Sequence, residues 1–291
     1  MAAKTTLLVT GLSGLIGERF RQLFHNKYNF ENLDLSEGID ITNKNSVKKA
    51  FQQSRAEVVI HLAAFTDVNK AHEQKDDKNG ICYKVNVVGT NHVAQYCKQF
   101  DKYLIHISTD FVFNGEKTSS YVESDSPNPI EWYGQTKYWA EKEVERRAGD
   151  HIILRLAYPY QAKPIRPDFL QKMVDKLKNN SLPPAFTDHI ITPTFVDDII
   201  KVFDYCIQNR PQGIYHAVGS SSHSDYQLAQ AIKSTFNLQS KIEKGSLKEY
   251  LKITNRPYQK TLKISNQKLY AEFGIKMSKF QEGLNQIKDQ L

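Results

Sequence analysis

The sequence predicts an α/β protein built on a doubly wound parallel sheet. Short apolar runs rich in β-branched residues alternate with amphipathic helical stretches through the first half of the chain, which is the pattern of repeated βαβ units. A glycine-rich segment, Gly11–Gly17, directly follows the first apolar run and leads into a helical stretch. This arrangement is typical of the first strand-to-helix turn in such a sheet.

The elements of the first half follow one another with short connections. Strands are predicted at Thr6–Thr10, Phe30–Leu35, Val58–Ala63, Tyr103–Ser108 and His151–Leu156. Helices are predicted at Ile16–His25, Ser46–Gln53, Tyr83–Gln99 and Glu131–Arg147. We therefore assign residues 1–156 to a Rossmann-like domain.

The pattern changes after this point, because prolines become frequent and irregular segments separate the helices. The prolines in question are Pro159, Pro164, Pro167, Pro183, Pro184 and Pro193. Helices are predicted near Asp168–Lys178, Asp197–Gln208 and Asp225–Phe236. Residues 157–291 are expected to form a smaller, mainly substrate-binding region, some of whose segments return to the Rossmann sheet.

Composition and charge limit the class of protein. The chain has 291 residues, of which 40% are hydrophobic and 24% charged, as in ordinary soluble globular proteins. Its formal net charge is +7, but the lysines are scattered and form no basic stripe with interleaved aromatic residues. This distribution favours small acidic ligands, such as dinucleotides and sugar nucleotides, over nucleic acid.

The sequence also indicates the cellular setting. The segment Met1–Thr6 has no features of a secretory signal, and no apolar stretch is long enough to span a bilayer. The three cysteines, Cys82, Cys97 and Cys206, lack metal-ligand spacing and suit reduced thiols. We expect a cytoplasmic protein with neither a metal site nor a membrane partner.

The glycine-rich turn predicts a pyrophosphate site. Glycine permits a positive φ and a close approach of the backbone, while the free N–H groups at the helix start attract the phosphates. The spacing G-x-x-G-x-x-G is one residue longer than the simplest dinucleotide fingerprint, so a turn that only packs the helix on the strand is the alternative. The predicted cofactor contacts are Gly11, Ser13, Gly14, Leu15, Ile16 and Gly17.

An acidic residue after the second predicted strand bears on the choice of cofactor. Asp34 lies roughly 20 residues beyond the turn, where a carboxylate can accept both adenosine ribose hydroxyls and repel the extra phosphate of NADP. NAD(H) is therefore favoured, although the nearby Lys44 could still allow NADP(H) to bind. The structural alternative is that Asp34 caps the following loop. Asp40 and Ile41 are predicted on the adenine side, which makes residues 1–156 an NAD(P)-binding domain.

Tyr133 and Lys137 form a candidate proton-donating pair. Their four-residue spacing places both side chains on one face of a helix. Hydride delivery to a carbonyl leaves an alkoxide that needs a proton, which a phenol supplies poorly at neutral pH. An ammonium about 4 Å away contributes on the order of 4 kcal/mol at an effective dielectric constant of 20, so we expect Lys137 to bring the pKa of Tyr133 towards neutrality. The spacing alone is weak evidence in a chain with 15 tyrosines.

Thr109 strengthens this interpretation. It stands at the carboxyl end of the fourth predicted strand, where open α/β sheets bind their ligands. Its hydroxyl could hold a substrate carbonyl against Tyr133. Capping of the strand end by Ser108 and Thr109 is the structural alternative.

Taken together, these residues resemble the extended short-chain dehydrogenase/reductases, and most closely the dTDP-4-dehydrorhamnose reductase family. Besides the glycine turn, the matching segments are Val59–Thr66, Asn86–Thr90, Ser108–Gly115, Asn128–Pro129, Thr192–Thr194 and Arg256–Pro257. The resemblance implies NAD(P)H-dependent reduction of a 4-keto group on a nucleotide-activated deoxy sugar. It also implies that Tyr133 donates the proton, Lys137 binds the nicotinamide ribose and Thr109 polarises the keto group. Tyr133 and Lys137 are both counted among the expected cofactor contacts.

The resemblance assigns further residues around this centre. Asn86 would support the site from its helix, whereas His61 is interpreted as a buried core histidine. Arg256 is expected either to bind the nucleotide diphosphate through a bidentate contact or to form a structural ion pair. The expected cofactor lining is Leu62, Ala63 and Ala64, and the expected substrate contacts are Thr109, Asp110, Tyr158 and Arg256.

Two segments depart from the family and make the particular sugar uncertain. Tyr158 stands where the family often has a tryptophan, and His189-Ile-Ile191 stands where Gln-Phe-Gly is common. A nucleotide-sugar epimerase with tightly bound NAD would use the same three catalytic residues. A dehydratase is disfavoured, because Phe111 replaces the glutamate that this branch usually carries. A non-catalytic alternative is a dinucleotide-binding regulatory subunit, like the beta subunit of methionine adenosyltransferase. Independently of these alternatives, the chain could form a homodimer.

Overall fold

A central sheet of six parallel strands organises the computed structural model, which describes residues 4–290. Its strand order is β10-β5-β4-β3-β1-β2. In chain order the strands are β1 (Thr5–Thr10), β2 (Tyr28–Asn32), β3 (Val58–His61), β4 (Tyr103–Thr109), β5 (His151–Leu156), β6 (Pro159–Tyr160), β7 (Ala185–Phe186), β8 (Ile190–Ile191), β9 (Thr194–Phe195), β10 (Gly213–His216), β11 (His223–Ser224) and β12 (Lys244–Gly245). The order reverses between β1 and β3, and such a switch point opens a crevice at the carboxyl ends of the strands.

Helices cover both faces of this sheet and continue into the second region. They are α1 (Leu15–Phe24), α2 (Lys44–Gln53), α3 (Val68–Glu73), α4 (Ile81–Tyr83), α5 (Thr90–Gln99), α6 (Trp132–Arg147), α7 (Phe169–Lys178), α8 (Val196–Asn209), α9 (Asp225–Thr235), α10 (Leu247–Tyr250), α11 (Gln267–Phe273) and α12 (Phe280–Ile287). A π-helical segment, Lys84–Gly89, joins α4 to α5. Within residues 4–290, none of the helices has the length and apolar character needed to cross a bilayer.

The apolar runs of the strands are buried because helices pack on both sides of the sheet. Leu7 and Val9 face a cluster that includes Phe203 of α8, whereas Leu8 faces a cluster that includes Phe51 of α2. Successive strand residues point to opposite faces. A strand that is buried on both faces therefore has hydrophobic residues at consecutive positions. The doubly wound fold predicted from the alternation is thereby confirmed.

The second region contributes to the sheet and also has a core of its own. Its strand β10 pairs in parallel with β5, and α8 packs beneath the sheet in the same cluster as β1. A separate cluster joins Tyr160, Leu170, Leu228 and Phe280. Three two-stranded pairs, β6 with β9, β7 with β12 and β8 with β11, hold this part together.

Several predicted boundaries are wrong in ways that matter for the site. The second strand ends at Asn32, not Leu35, so Asp34 lies on the loop after it. The predicted helix Tyr83–Gln99 contains the π-helical segment, a feature often found at functional sites. Strand β10 was not identified, because four residues are too few for a periodic pattern. Residues 1–3 of the segment Met1–Thr6 lie outside the described residues.

Candidate active site

The glycine-rich turn packs tightly against the end of β3. Gly11 has φ +73°, and a Cβ atom on it would lie 2.6 Å from the Ala63 nitrogen. Gly14 precedes α1 and has no side chain with which to cap it. The first N–H groups of α1, from Leu15 to Gly17, therefore have neither an intrahelical acceptor nor a side-chain cap at this end. A turn with this geometry fits a dinucleotide pyrophosphate.

Asp34 lies directly under this turn. Its carboxylate accepts hydrogen bonds from the backbone N–H groups of Gly11 and, at 2.8 Å, of Ser13. The side chain is buried, and it makes no capping hydrogen bond to the short helical turn that follows it. The carboxylate thus organises the glycine-rich turn, a role that the sequence did not indicate.

The end of β3 completes the wall beside the turn. The Thr10 hydroxyl accepts a hydrogen bond from the Ala63 N–H at 3.1 Å and lies 2.6 Å from His61 Nδ1. His61 Nε2 lies 2.9 Å from the Thr90 hydroxyl, and burial lowers the pKa of His61 to about 3. The interpretation of His61 as a hydrogen-bonded core histidine is confirmed. Leu62, Ala63 and Ala64 are each partly exposed.

The predicted adenine-side residues differ in their surroundings. Asp40 Oδ1 accepts hydrogen bonds from the backbone N–H and the hydroxyl of Thr42, both at 2.8 Å. Ile41 is buried against the π-helical segment, where a Cβ atom on Gly89 would lie 2.7 Å from its side chain. Ile41 therefore packs the loop that follows β2 onto the π-helical segment. Of the two residues, only Asp40 is partly exposed.

Thr109, Tyr133 and Lys137 meet where β4 ends and α6 begins. Thr109 is the last residue of β4, and α6 carries Tyr133 and Lys137 one turn apart. The helix approaches the strand end so closely that a Cβ atom on Gly134 would lie 2.2 Å from the Phe111 carbonyl oxygen. Glycine at that position therefore allows the catalytic candidates to come together.

The charges at this centre differ from the sequence-based expectation. Burial raises the pKa of Tyr133 above its ordinary value, hydrogen bonding from Thr109 opposes the rise, and the Asp110 charge adds to it. Lys137 donates to the Ile107 carbonyl at 2.6 Å, and burial lowers its pKa to about 8. The prediction that Lys137 brings the pKa of Tyr133 towards neutrality was wrong, because burial of the phenol raises that pKa and Lys137 is not among the groups that lower it.

Asn86 connects the π-helical segment to this centre. Its side chain accepts from the Phe65 N–H at 2.8 Å and donates to the Thr136 hydroxyl at 3.0 Å. Thr136 in turn donates to the Tyr133 carbonyl at 2.8 Å. Asn86 is fully buried, so these contacts tie the loop after β3 to the helix that carries the catalytic candidates.

Two buried acids flank Tyr133. Burial raises the pKa of Asp110 to about 7, and burial likewise raises the pKa of Glu131 to about 7 against the opposing charge of Arg256. Arg256 donates to Glu131 Oε2 at 3.0 Å, and its guanidinium lies 3.8 Å from the centroid of the Tyr258 ring. The structure thus contains the ion pair that was one of two expectations for Arg256.

The residues that depart from the family lie near these acids. Tyr158 has φ +40°, and its carbonyl accepts a hydrogen bond from the Thr194 N–H at 3.1 Å. Its ring lies 6.1 Å from that of Phe111. His189 Nδ1 lies 2.9 Å from Asp225 Oδ2. A left-handed backbone at a tyrosine is strained, and such strain is typical of functional sites.

Sequence reasoning missed two buried acids around this centre, Glu141 and Glu131. Glu141 accepts two hydrogen bonds from Arg155, at 2.9 and 2.7 Å, with both side chains almost fully buried. Its charge raises the pKa of Lys137 against the effect of burial. Glu141 follows Lys137 by four residues, so the helical spacing that identified Tyr133 and Lys137 could have found it. Glu131 offered no comparable signal.

This geometry suits a carbonyl reductase. Thr109 and Tyr133 present two hydroxyl groups at the carboxyl end of β4, and the glycine-rich turn lies at the carboxyl end of β1 in the same sheet. Ligands of open α/β sheets bind along this edge. A keto oxygen held there would have two hydrogen-bond donors, one of which could transfer a proton.

Comparison with known proteins gives a consistent result. The chain is 30% identical to a dTDP-4-dehydrorhamnose reductase of Aggregatibacter actinomycetemcomitans over 97% of this chain and 98% of that protein. It is 29% identical to the spore coat polysaccharide biosynthesis protein SpsK of Bacillus subtilis, over 97% of this chain and 96% of that protein. The crystal structure of a dTDP-4-dehydrorhamnose reductase from Bacillus anthracis in complex with NADP superposes with a TM-score of 0.90 at 27% identity, covering 99% of this chain and 100% of that one.

These similarities extend beyond the amino-terminal half of the chain. The profile of the family described as RmlD substrate binding domain matches residues 5–291, which include both the glycine-rich turn and the region around Tyr158 and Arg256. The resemblance inferred from the motifs is confirmed, and the chain belongs to the RmlD substrate-binding domain family.

Proposed function

We propose that this protein reduces the 4-keto group of a nucleotide-activated deoxy sugar with NAD(P)H. The observation that carries the proposal is the convergence of Thr109, Tyr133 and Lys137 at the carboxyl end of β4. The reductase names of the relatives support it. A dTDP-linked 6-deoxy-4-keto sugar is the substrate that these names suggest.

The chain's own residues divide the work in this proposal. The bound nicotinamide supplies a hydride to the keto carbon. Thr109 donates a hydrogen bond to the keto oxygen and holds it against Tyr133, whose phenol gives up the proton that the developing alkoxide needs. Lys137 binds the nicotinamide ribose, and its positive charge stabilises the tyrosinate that remains.

Asp110 and Tyr158 complete the sugar side of the proposed site. The Thr109 hydroxyl donates its proton to the buried carboxyl of Asp110 at 3.1 Å in the structure, and this single proton must turn to the keto oxygen when the sugar binds. Tyr158 lies against Phe111, whose ring is 5.7 Å from that of Tyr133. These aromatic rings can pack on the apolar face of a deoxy sugar.

An assay of the wild-type protein tests the function. With dTDP-4-dehydrorhamnose, absorbance of the reduced nicotinamide should fall as dTDP-rhamnose appears, and NADH and NADPH should be compared at equal concentrations. Interconversion of epimers by protein that co-purifies with NAD, without net oxidation of added cofactor, would indicate the epimerase instead. If no 4-keto nucleotide sugar is reduced and the protein stably binds a larger enzyme subunit, the regulatory-subunit alternative replaces the reductase proposal.

The position of Asp34 leads to a prediction on cofactor binding. In the Asp34→Asn variant, the side-chain NH₂ group must face one of the turn's N–H donors, so the turn loses a charge-assisted hydrogen bond. We expect the affinities for NADH and NADPH to fall by a similar factor of about 10 to 100, since such bonds contribute about 1.5–3 kcal/mol. Fluorescence titration with each cofactor measures this.

A matched substitution checks the specificity of that effect. Asp125 also accepts a backbone N–H, from Val122 at 2.8 Å, and pairs with Lys117, so Asp125→Asn should leave both affinities unchanged. Weaker binding of NADH together with tighter binding of NADPH in the Asp34→Asn variant would contradict the turn-organising role. It would favour the contact with the adenosine ribose predicted from sequence.

A further inference from the structure

Glu131 keeps a buried carboxylate oxygen without a partner. The side chain is only 2% exposed, and Oε2 is paired with Arg256. The other oxygen, Oε1, is also buried and accepts no hydrogen bond from any group in residues 4–290. Leaving a buried acceptor unsatisfied is costly, and such groups in native proteins usually serve a ligand, water or catalysis.

The carboxylate is not used to cap the helix that it precedes. Glu131 is the N-cap residue of α6, yet its side chain accepts no hydrogen bond from the first turn. An acidic side chain at a helix start ordinarily gains stability from those N–H groups and from the helix dipole. The side chain instead reaches a residue far along the chain, Arg256, in the second region.

The surroundings of Glu131 indicate which part of a substrate it faces. It lies two residues before Tyr133, and its charge acts on both Tyr133 and Asp110. The positive charge of Arg256 is already paired with Glu131, and Nε of this arginine is buried without an acceptor in the described chain. Because the Arg256 charge is already paired with Glu131, this cluster offers a diphosphate little net positive charge, whereas the unpartnered Oε1 can accept a hydrogen bond from a sugar hydroxyl.

We infer that Glu131 is a specificity-determining residue whose Oε1 accepts a hydrogen bond from a ring hydroxyl of the sugar, with Arg256 holding the carboxylate in place. This inference rests on the proposed function for the identity of the ligand. It makes Arg256 a positioning residue, not the anchor of the diphosphate. The sugar is then recognised immediately beside the group that protonates it.

Binding of two ligands to the same variants tests the inference. Calorimetric titration with dTDP-rhamnose and with dTDP, both in the presence of saturating oxidised cofactor, separates contacts to the sugar from contacts to the nucleotide. The Glu131→Gln variant should bind dTDP-rhamnose about 10- to 100-fold more weakly, the usual effect of losing a hydrogen bond to a charged group, and should bind dTDP as the wild type does. Glu116→Gln, an exposed substitution, should change neither affinity.

Arg256→Met provides the second measurement. If Arg256 only positions Glu131, this variant also loses affinity for dTDP-rhamnose selectively. An equal loss of affinity for dTDP in either variant, or unchanged binding of both ligands to Glu131→Gln, would overturn the inference. Should Glu131→Gln fail to fold, the double variant Glu131→Gln/Arg256→Met removes both buried charges and is titrated in its place.

These titrations need no turnover, so their result is separate from that of the reductase assay. A wild-type protein that reduces no keto sugar but still shows the selective loss would refute the reaction and retain the sugar contact. A wild-type protein that reduces the keto sugar, with no selective loss in the variants, would retain the reaction and refute the role of Glu131.

Discussion

Replacing Tyr133 by phenylalanine should lower kcat for keto-sugar reduction by about 10²- to 10⁴-fold, the usual contribution of a positioned general acid. The substitution removes only the phenolic hydroxyl, and the ring can still pack edge-on against Phe111 at its present distance of 5.7 Å. Cofactor affinity should therefore stay within about twofold of the wild type, since no charge is lost from the turn. Steady-state kinetics and cofactor titration of the same preparation measure both quantities.

Tyr138→Phe is the matched control for this experiment. Tyr138 lies on the same helix, is partly buried, and has the Lys142 ammonium 5.3 Å from its ring centroid. It should retain the wild-type kcat, because its ring is paired with the Lys142 side chain, whereas Thr109 is hydrogen-bonded to Tyr133. A Tyr133→Phe variant with near wild-type turnover would show that another group supplies the proton, and it would return the regulatory-subunit alternative to consideration.

The fold was predictable because its strands are buried on both faces. Leu7, Leu8 and Val9 form a continuous apolar run, and the glycine-rich turn marks where the first strand gives way to a helix. Strand β10 lacked such a signal, since its position in the sheet depends on packing beside β5, a contact between segments far apart in the chain. Patterns within short windows cannot report such contacts.

The distinction between local patterns and contacts of distant segments also explains which site features were predicted and which were missed. Tyr133, Lys137 and Thr109 could be identified because helical spacing and the end of a strand are local properties. The hydrogen-bond partners of Asp34 and the pKa of Tyr133 depend on burial and on groups from distant segments, so the sequence did not indicate the former and the expectation for the latter was wrong. Glu131 belongs to this second class, because its partner Arg256 lies 125 residues away.

Breaking the buried ion pair behind the active site should cost the most stability. The Glu141→Gln variant leaves the charge of the Arg155 guanidinium unpaired. The Arg155 side chain is only 2% exposed, and its Nη1 atom already has no hydrogen-bond partner within residues 4–290. The free energy of unfolding should fall by about 3–5 kcal/mol, the usual cost of removing one member of a buried pair. Urea denaturation followed by circular dichroism measures it.

A surface pair on the same helix provides the comparison. Glu145 pairs with Lys142 at 2.7 Å in solvent, so Glu145→Gln should change the free energy of unfolding by less than about 1 kcal/mol. Equal effects of the two substitutions would mean that the buried pair does not stabilise the fold. The double variant Glu141→Gln/Arg155→Met, which leaves no unpaired charge, should recover much of the lost stability.

The Glu141→Gln substitution should also move the alkaline limb of the pH–activity profile. Burial lowers the pKa of Lys137 to about 8, and the Glu141 carboxylate opposes that fall. The ammonium is the active form in the proposed mechanism, so activity of the wild type should decline as the pH rises through about 8. Without the carboxylate, the pKa of Lys137 falls further and the decline must begin at lower pH. An unmoved limb, in a variant shown to be folded at each pH, would mean that Lys137 does not govern it.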